Sequence, residues 1–253
     1  AFYLGEDGFY QFDGTSSIPI GSEKVNKSFF RDLDMVYISR ISAAIDPINT
    51  IVFWAYPGMG NVDGIPNRIL AYNWMIRNED GSVGRWTMIH ATCQVLGRTL
   101  TEGKTIEQLD GFPVTRNQLS GTDGLPFSLD SRVWMGGKPI LAAVNLASCL
   151  ALATGVGMAA TLESAEFEAF PGRMTLVNRV TPLCDGAAVK AAVMSRSSQS
   201  DTPMITVPSR SMVGGSLFTR ALARYHRLSL TVDEGGFSTM NGVTVEVQAG
   251  GIR

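Results

Sequence analysis

Two glycine-bearing segments of the chain come close to nucleotide-binding motifs. The segment GRTLTEGKT at 97–105 has the glycines, lysine and threonine of a phosphate-binding loop, but five residues separate its glycines where the motif needs four. The additional residue moves Lys104 and Thr105 out of register with a phosphate and its metal ion. The segment GVGMAA at 155–160 matches a dinucleotide-binding pattern, but Pro171 soon follows it. Small residues packed closely inside a sheet explain this segment better, so the sequence predicts no nucleotide cofactor.

Histidine and cysteine are too sparse for most metal or nucleophile chemistry. The chain has two histidines, at positions 90 and 226, and three widely spaced cysteines, Cys93, Cys149 and Cys184, with no C-x-x-C pair. An odd set of this kind indicates neither a disulfide framework nor a thiolate zinc site. No G-x-S-x-G, H-E-x-x-H or calcium-loop spacing is present. We therefore expect no catalytic residue, no metal site, no cofactor and no enzymatic activity, and a reducing, cytosolic place of assembly.

Acidic and aromatic side chains leave carbohydrate chemistry open as an alternative. Two carboxylates suffice for glycoside hydrolysis, and the first half of the chain has Asp7, Asp13, Asp32, Asp34, Asp46 and Asp63. Sugar rings could stack on Trp54, Trp74, Trp86 or Trp134. The competing interpretation places the carboxylates in turns and uses Tyr72, Trp74 and Trp86 to fill the space between neighbouring sheets.

The densest basic stretch of the chain lies near its carboxyl end. It consists of Arg210, Arg220, Arg224, His226 and Arg227. These side chains could contact DNA phosphates or an acidic partner subunit, or they could form a solvated strand face whose arginine stems cover apolar neighbours. The 21 basic and 23 acidic residues give a formal net charge of −2, which argues against a protein that coats nucleic acid.

The elements that must position these residues are predicted to be strands. Short apolar, aromatic-rich segments separated by Asp-Gly and Pro-Gly turns indicate an all-β sandwich, barrel or propeller. The segments FYQFDG and IVFWAYPG are about 42 residues apart, close to one propeller blade. We predict β-propeller-like blades over 1–138, with a polar insertion near 97–130. The predicted strands of this half are 9–14, 35–41, 51–58, 68–76, 85–89 and 132–137.

The second half, 139–253, is predicted to be a β-rich region that can complete the propeller. Its uncharged stretch, 139–162, is rich in alanine and glycine, so buried strands are expected there and no membrane insertion. The leucines and valines of LSLTV and VTVEV alternate cleanly, as in strands that bury one face. Helical spacing predicts a short helix over 216–226. The other predicted strands are 175–180, 187–194, 204–207, 228–232 and 243–247.

Several of these segments together resemble a known family. They are FYQFDGTSSIPIGSEKVNKSFFRDL, NRILAYNWMIRNEDGSVGRWTMI, ATLESAEFE, GRMTLVNRVTPLCDG and the final ARYHRLSLTVDEGGFSTMNGVTVEVQAGGIR. They are similar to the tail hub or nozzle proteins of short-tailed bacteriophages, also called packaged-DNA stabilisation proteins, which are built on a β-propeller. The resemblance covers most of the chain except roughly 97–130. It implies that the chain is the carboxyl-terminal part of a longer product.

The resemblance implies a non-enzymatic structural protein of the virion, at the tail or portal vertex, assembled in the host cytoplasm. Its partners would be identical subunits in a homo-oligomeric ring, the portal and adaptor, and other tail proteins, with transient passage of DNA during ejection. The family has no catalytic motif to transfer. Only 17% of the residues are charged, against about 25% in a typical domain, and large subunit interfaces would explain this deficit. The alternatives are a carbohydrate-binding or carbohydrate-hydrolysing propeller and a propeller scaffold in a cell.

Overall fold

The chain is an all-β protein, as the sequence predicts. In the computed structural model 53% of the residues are in strands and 7% in helices. The structure describes residues 1–77, 83–101, 103, 105, 135–154, 157–186, 189–212, 214–237 and 239–250. They group into two compact units, 1–153 and 154–253. The division predicted from the sequence was at 138 and 139.

Within its described residues, unit 1 has three antiparallel sheets. Its strands, in chain order, are β1 Phe2–Leu4, β2 Phe9–Phe12, β3 Ser17–Pro19, β4 Ser42–Asp46, β5 Ile51–Tyr56, β6 Arg68–Arg77, β7 Val83–Ile89, β8 Val95–Leu100, β9 Pro139–Val144 and β10 Leu150–Leu152. The strand orders are β1-β2-β3, β4-β5-β6-β7 and β10-β9-β8. The helix α1 (Asn26–Asp32) and a 3-10 helix (Met35–Arg40) lie between β3 and β4.

The four-stranded sheet is the middle layer of unit 1. Along β5, Val52, Trp54 and Tyr56 pack with Phe9 of β2 and the apolar face of α1. The alternate residues of β5 and β6 pack on the other side, against side chains of the β8-β9-β10 sheet. A strand with both faces covered needs a continuous apolar sequence, which is why IVFWAY does not alternate with polar residues.

The segment 35–41 was predicted to be a strand, and this prediction is wrong. Residues Met35–Arg40 form a 3-10 helix, and Asp34 caps it by accepting a hydrogen bond from the Val36 amide at 3.1 Å. An aspartate just before a segment favours this geometry because its carboxylate satisfies an amide that a strand would have directed to a neighbour. The apolar side chains of this segment are consequently not all buried: Val36 is 81% exposed.

Unit 2 is a sandwich of two antiparallel sheets. Its strands are β11 Ala160–Glu163, β12 Thr175–Cys184, β13 Val189–Arg196, β14 Met204–Ser211, β15 Leu217–Ala223, β16 Tyr225–Val232 and β17 Met240–Ala249. One sheet has the order β11-β16-β13-β14 and the other has the order β15-β12-β17. Their facing side chains form one core, which includes Val177, Val193 and Leu230, all at most 1% exposed.

Alternation accounts for the strands of this sandwich. In β16, Leu228, Leu230 and Val232 are buried, and in β17, Val243, Val245 and Val247 share the half-buried face that packs on the core. Both assignments confirm the prediction from the sequence. The helix predicted over 216–226 is wrong, because this segment forms β15 and the start of β16. Its outward residues Phe218 and Leu222 are apolar, and they are 66% and 54% exposed. Together with the buried residues Leu217 and Ala221, they give the sequence a helix-like spacing of apolar residues.

Two further expectations have a mixed outcome. The uncharged stretch 139–162 does contain strands, but β10 is exposed throughout its length and β11 over most of its length, so the prediction that they are buried is wrong. Among the described residues the sheets do not close into a propeller. Most of the predicted insertion near 97–130, the segment 132–134 with Trp134, and residue Lys104 lie outside the described residues.

Candidate interaction surfaces

The two histidines occupy opposite environments. His226 is fully buried in unit 2, and its Nε2 lies 3.1 Å from the carbonyl oxygen of Thr175 and 3.2 Å from that of Ala223. His90 is exposed at the end of β7. Within the described ranges no group of three His, Cys, Asp or Glu side chains could hold a metal ion.

All three cysteines are free thiols. Cys93 is buried in unit 1, where desolvation raises the pKa of its thiol above the ordinary value. A higher pKa leaves less of the nucleophilic thiolate, so burial makes Cys93 less reactive. Cys149 is exposed and Cys184 is half-buried.

The aspartates proposed as catalytic carboxylates have structural partners. The Asp13 carboxylate accepts hydrogen bonds from the amides of the next turn, and this holds its pKa below the ordinary value. Asp46 binds the amides of its own turn in the same way, Asp7 accepts from a tyrosine hydroxyl, and Asp63 lies in a turn with φ of 52°. This is the turn chemistry that the competing interpretation predicted for acidic residues.

Asp32 joins α1 to the middle sheet. Its Oδ2 accepts a hydrogen bond from the Tyr56 hydroxyl at 3.0 Å and lies 3.7 Å from Nε of Arg68. Burial, and then this hydrogen bond, raise the pKa of Tyr56 strongly. A Cβ atom on Gly58 would lie 2.6 Å from Asp32 Oδ2, so backbone covers the carboxylate on one side. The geometry fixes the packing of α1 on β5.

The described tryptophans belong to the aromatic core of unit 1. Trp54 is 3% exposed, and its ring centroid lies 5.7 Å from that of Trp86. Trp86 also contacts Tyr72, with the centroids 4.5 Å apart, and its Nε1 donates to the carbonyl oxygen of Ile20 at 3.2 Å. Trp74 packs on Phe2. The expectation that Trp74 and Trp86 fill the space between sheets is confirmed, and these rings do not form an open stacking platform for sugars.

The basic stretch divides into two groups in the structure. Arg224 and Arg227 form ion pairs with Glu168 and Glu163 respectively. The hydrogen bond from Arg224 is the main reason that the pKa of Glu168 is lowered. By contrast, Arg210 and Arg220 line a cleft between β14 and β15. The sequence placed these arginines together but did not separate the paired ones from the others.

A patch of exposed apolar side chains lies on two adjoining loops of unit 1. Met35 is 60% exposed and Val36 81% on the 3-10 helix, while Met59 is 65% exposed and Val62 69% on the loop after β5. We call these four residues the loop patch. Large apolar groups clustered on a surface mark interaction sites more often than single ones do.

The loop patch is held on a well-connected backbone. The Asn61 side chain donates to Oδ2 of Asp34 at 2.9 Å, and the amide of Asp34 donates to the carbonyl oxygen of Pro57 at 2.9 Å. The Tyr37 ring packs on Gly64, where a Cβ atom would lie 2.4 Å from the ring. These contacts therefore tie together the two segments that bear the loop patch. The prediction from the sequence overlooked Asp34. MVYISRI by itself resembles a core strand, but an aspartate directly before it favours a capped helical turn.

Comparison with known proteins gives no family to this chain. No protein-family model matches it, and no curated protein matches it. Through the parts of the chain that the structure describes, no helix is long and apolar enough to cross a membrane.

Proposed function

We propose that the chain is a structural protein of a bacteriophage virion, a tail nozzle or hub that forms a homo-oligomeric ring on the portal and adaptor complex. In this role it helps to retain the packaged DNA and to release it at ejection. The segment resemblance described above supports the assignment to this class. The proposal assigns no catalytic residue to the chain.

The loop patch is the observation that carries the proposal. Four large apolar side chains, each at least 60% exposed, stand on two loops that hydrogen bonds tie together. In a chain with only 17% charged residues, such a patch suits a surface that another subunit covers. Subunits joined by a head-to-tail contact close into a ring when the rotation between them allows it.

The propeller is the finer part of the proposal. The β4-β5-β6-β7 sheet follows chain order and is antiparallel throughout, as a propeller blade is. In the proposed assembly this sheet is a blade-type unit, and unit 2 is a sandwich attached to it in the chain.

Two measurements test the proposal. Light scattering and negative-stain imaging of the purified chain should detect a ring, and mass spectrometry with immunogold labelling should locate the protein at the portal vertex of virions.

The double variant V36D/V62D should fail to assemble, because a charge on each loop must then be desolvated in the interface. The matched control is Met75→Asp, since Met75 is 65% exposed but lies outside the loop patch.

The outcomes separate assembly from folding. The V36D/V62D monomer should melt at nearly the same temperature as the Met75→Asp protein, because Val36, Val62 and Met75 are all exposed. A chain that stays monomeric at every concentration and is absent from virions would overturn the proposal. Equal assembly of V36D/V62D and the wild type would show that the loop patch does not carry it.

A further inference from the structure

A cleft opens at one edge of the sandwich unit, between strands that are each the last of their sheet. Strand β14 ends one sheet and β15 ends the other. Val207, Arg210, Phe218, Thr219 and Arg220 line the cleft, which has a volume of about 270 Å³. Among the described residues, the lining therefore combines two cations, a hydroxyl and an aromatic ring, without a carboxylate.

Both edge strands are irregular at this cleft. In β14 the pairing with β13 shifts between Val207 and Arg210, and in β15 the pairing with β12 shifts between Phe218 and Ala221. Each shift inserts an additional residue into the edge strand. Such bulges redirect side chains and discourage the addition of a further strand. Pro208, which has no amide hydrogen to donate, strengthens this effect in β14. The edge is therefore suited to side-chain recognition rather than to strand addition.

The two arginines of the cleft differ from most basic side chains around them. Five other basic residues of unit 2 form ion pairs with carboxylates of the same unit: Arg179, Lys190, Arg196, Arg224 and Arg227. Neither Arg210 nor Arg220 has an ion-pair partner or a hydrogen-bond acceptor for its guanidinium among the described residues. Two guanidinium groups at one cleft provide the paired donors that a carboxylate or a phosphate requires.

Thr219 adds a second and independent sign of a ligand. Its hydroxyl oxygen is buried and has no hydrogen-bond partner within the part of the chain that the structure describes. Buried polar atoms in native proteins nearly always have a partner, so an orphaned hydroxyl on a residue that lines a cleft is a candidate donor to a ligand. An oxyanion held by the arginines could accept the hydrogen bond from this hydroxyl.

We propose that this cleft binds a carboxylate presented by an acidic, partly apolar segment of a different protein chain. The apolar part of the recognition comes from exposed side chains on the same two strands, of which Phe218 lines the cleft and Leu222 lies two residues from Arg220. On β14, Met204 is 71% and Ile205 65% exposed, and on β15, Phe218 is 66% and Leu222 54% exposed. A nucleic acid would leave this apolar surface uncovered, and nucleic-acid binding normally engages a longer row of cations than these two. The flanking residues therefore favour a protein segment.

Most of the described carboxylates of unit 2 already have partners, so we take a different chain as the occupant and test a second copy directly. Glu163, Glu166, Glu168, Asp233 and Glu246 already face basic side chains. A second copy would have to break an internal ion pair to supply any of them. The inference concerns unit 2 and does not depend on the ring or on the loop patch.

The test uses the full chain and a defined peptide. Acetyl-Leu-Glu-Val-Glu-Phe-amide is titrated into wild-type protein by calorimetry, beside the same peptide with glutamine in place of glutamate. We expect saturable binding of the acidic peptide only, weakened about tenfold or more in R210Q/R220Q, since charge-assisted hydrogen bonds are lost. The matched control is Arg173→Gln, because Arg173 is also exposed and lies away from the cleft. Thermal unfolding should be the same for all three proteins.

Three further measurements test whether phosphate, DNA or a second copy of the chain binds in the cleft instead. Inorganic phosphate and a short single-stranded DNA are titrated separately, and the self-association of the wild type is compared with that of R210Q/R220Q. Tighter binding of DNA or phosphate than of the acidic peptide would overturn the proposal, as would self-association that only R210Q/R220Q abolishes. Peptide binding that R210Q/R220Q leaves unchanged, or that never saturates, would also overturn it.

Discussion

At the scale of single residues, His226 is held in the core in its neutral form. Two backbone carbonyls accept from its Nε2, so this nitrogen carries the proton, and Nδ1 is buried with no partner among the described residues. Desolvation lowers the pKa of the imidazole, and the two hydrogen bonds offset only part of that effect. A second proton would place a charge in an apolar core.

This environment predicts acid-sensitive folding. Because the folded pKa lies below the unfolded one, unfolded chains bind the proton more readily as the pH falls. The stabilisation is complete above the ordinary histidine pKa of about 6.5 and declines as the pH falls from there towards the folded pKa. The variant His226→Gln can still donate to the two carbonyls but does not titrate. We expect its free energy of unfolding to depend less on pH in this window than that of the wild type.

Denaturant titrations at a series of pH values measure this slope. The other histidine supplies the control, since His90→Gln removes an exposed imidazole at the end of β7. Equal slopes for the wild type and His226→Gln would contradict the prediction.

Trp86 lies in the aromatic core of unit 1 and contacts three other rings. It packs on the rings of Phe9, Trp54 and Tyr72. Replacing it by alanine should lower the free energy of unfolding by about 3–5 kcal/mol through loss of burial and the remaining cavity. Trp86→Phe keeps a ring but loses the hydrogen bond to Ile20, and should cost less. Chemical denaturation measures both, and an unchanged midpoint for Trp86→Ala would mean that the ring is not in the core.

At the scale of elements, the sequence predicted strands best where alternation was clean. LSLTV and VTVEV have polar residues on one face, so their period identifies both the strand and its buried side. The segment 216–226 failed this test because apolar Phe218 and Leu222 point outwards. The residues that break the pattern here are also those that flank the proposed carboxylate site. Alternation of apolar and polar residues identifies a strand when one of its faces is buried and the other is polar. Apolar residues on the outer face interrupt this alternation, and the strand can then be mistaken for a helix.

The loop patch was hidden for a related reason. MVYISRI contains enough apolar residues for a core strand, but it forms a 3-10 helix capped by Asp34, with exposed Met35 and Val36. The cleft between β14 and β15 could not be predicted either, because it depends on two register shifts in different sheets. In contrast, the sequence alone shows that G-x-S-x-G, H-E-x-x-H and calcium-loop spacings are absent.

The hairpin between β6 and β7 has a requirement for glycine that can be measured. Gly84 has a φ of 93°, and a Cβ atom there would lie 2.2 Å from the ring of Tyr72. Gly84→Ala should therefore destabilise the protein by about 1–3 kcal/mol or more, from backbone strain together with overpacking. Gly97, in β8, is the control, because a Cβ atom there meets nothing within 4 Å. If both variants have the same denaturation midpoint, Tyr72 does not pack on Gly84.

At the scale of the whole molecule, the core of unit 2 is self-contained. Every buried side chain of its central cluster, from Val177 to Val232, comes from the unit, and so do both partners of the five ion pairs among its described residues. A segment with its own core and paired charges has what an independent domain requires. The low charged fraction of the chain therefore does not mean that unit 2 lacks internal stabilisation.

Residues 154–253 should accordingly fold when expressed alone. We expect a dispersed amide NMR spectrum and a single cooperative unfolding transition. Leu230→Ala should cost about 2–5 kcal/mol in the isolated segment and in the full chain alike, because Leu230 is 1% exposed and all its core partners lie within the unit. Leu222→Ala is the control, since Leu222 is 54% exposed and should cost little in either context. A disordered isolated segment, or a cost for Leu230→Ala that differs between the two contexts, would mean that residues 1–153 stabilise this core.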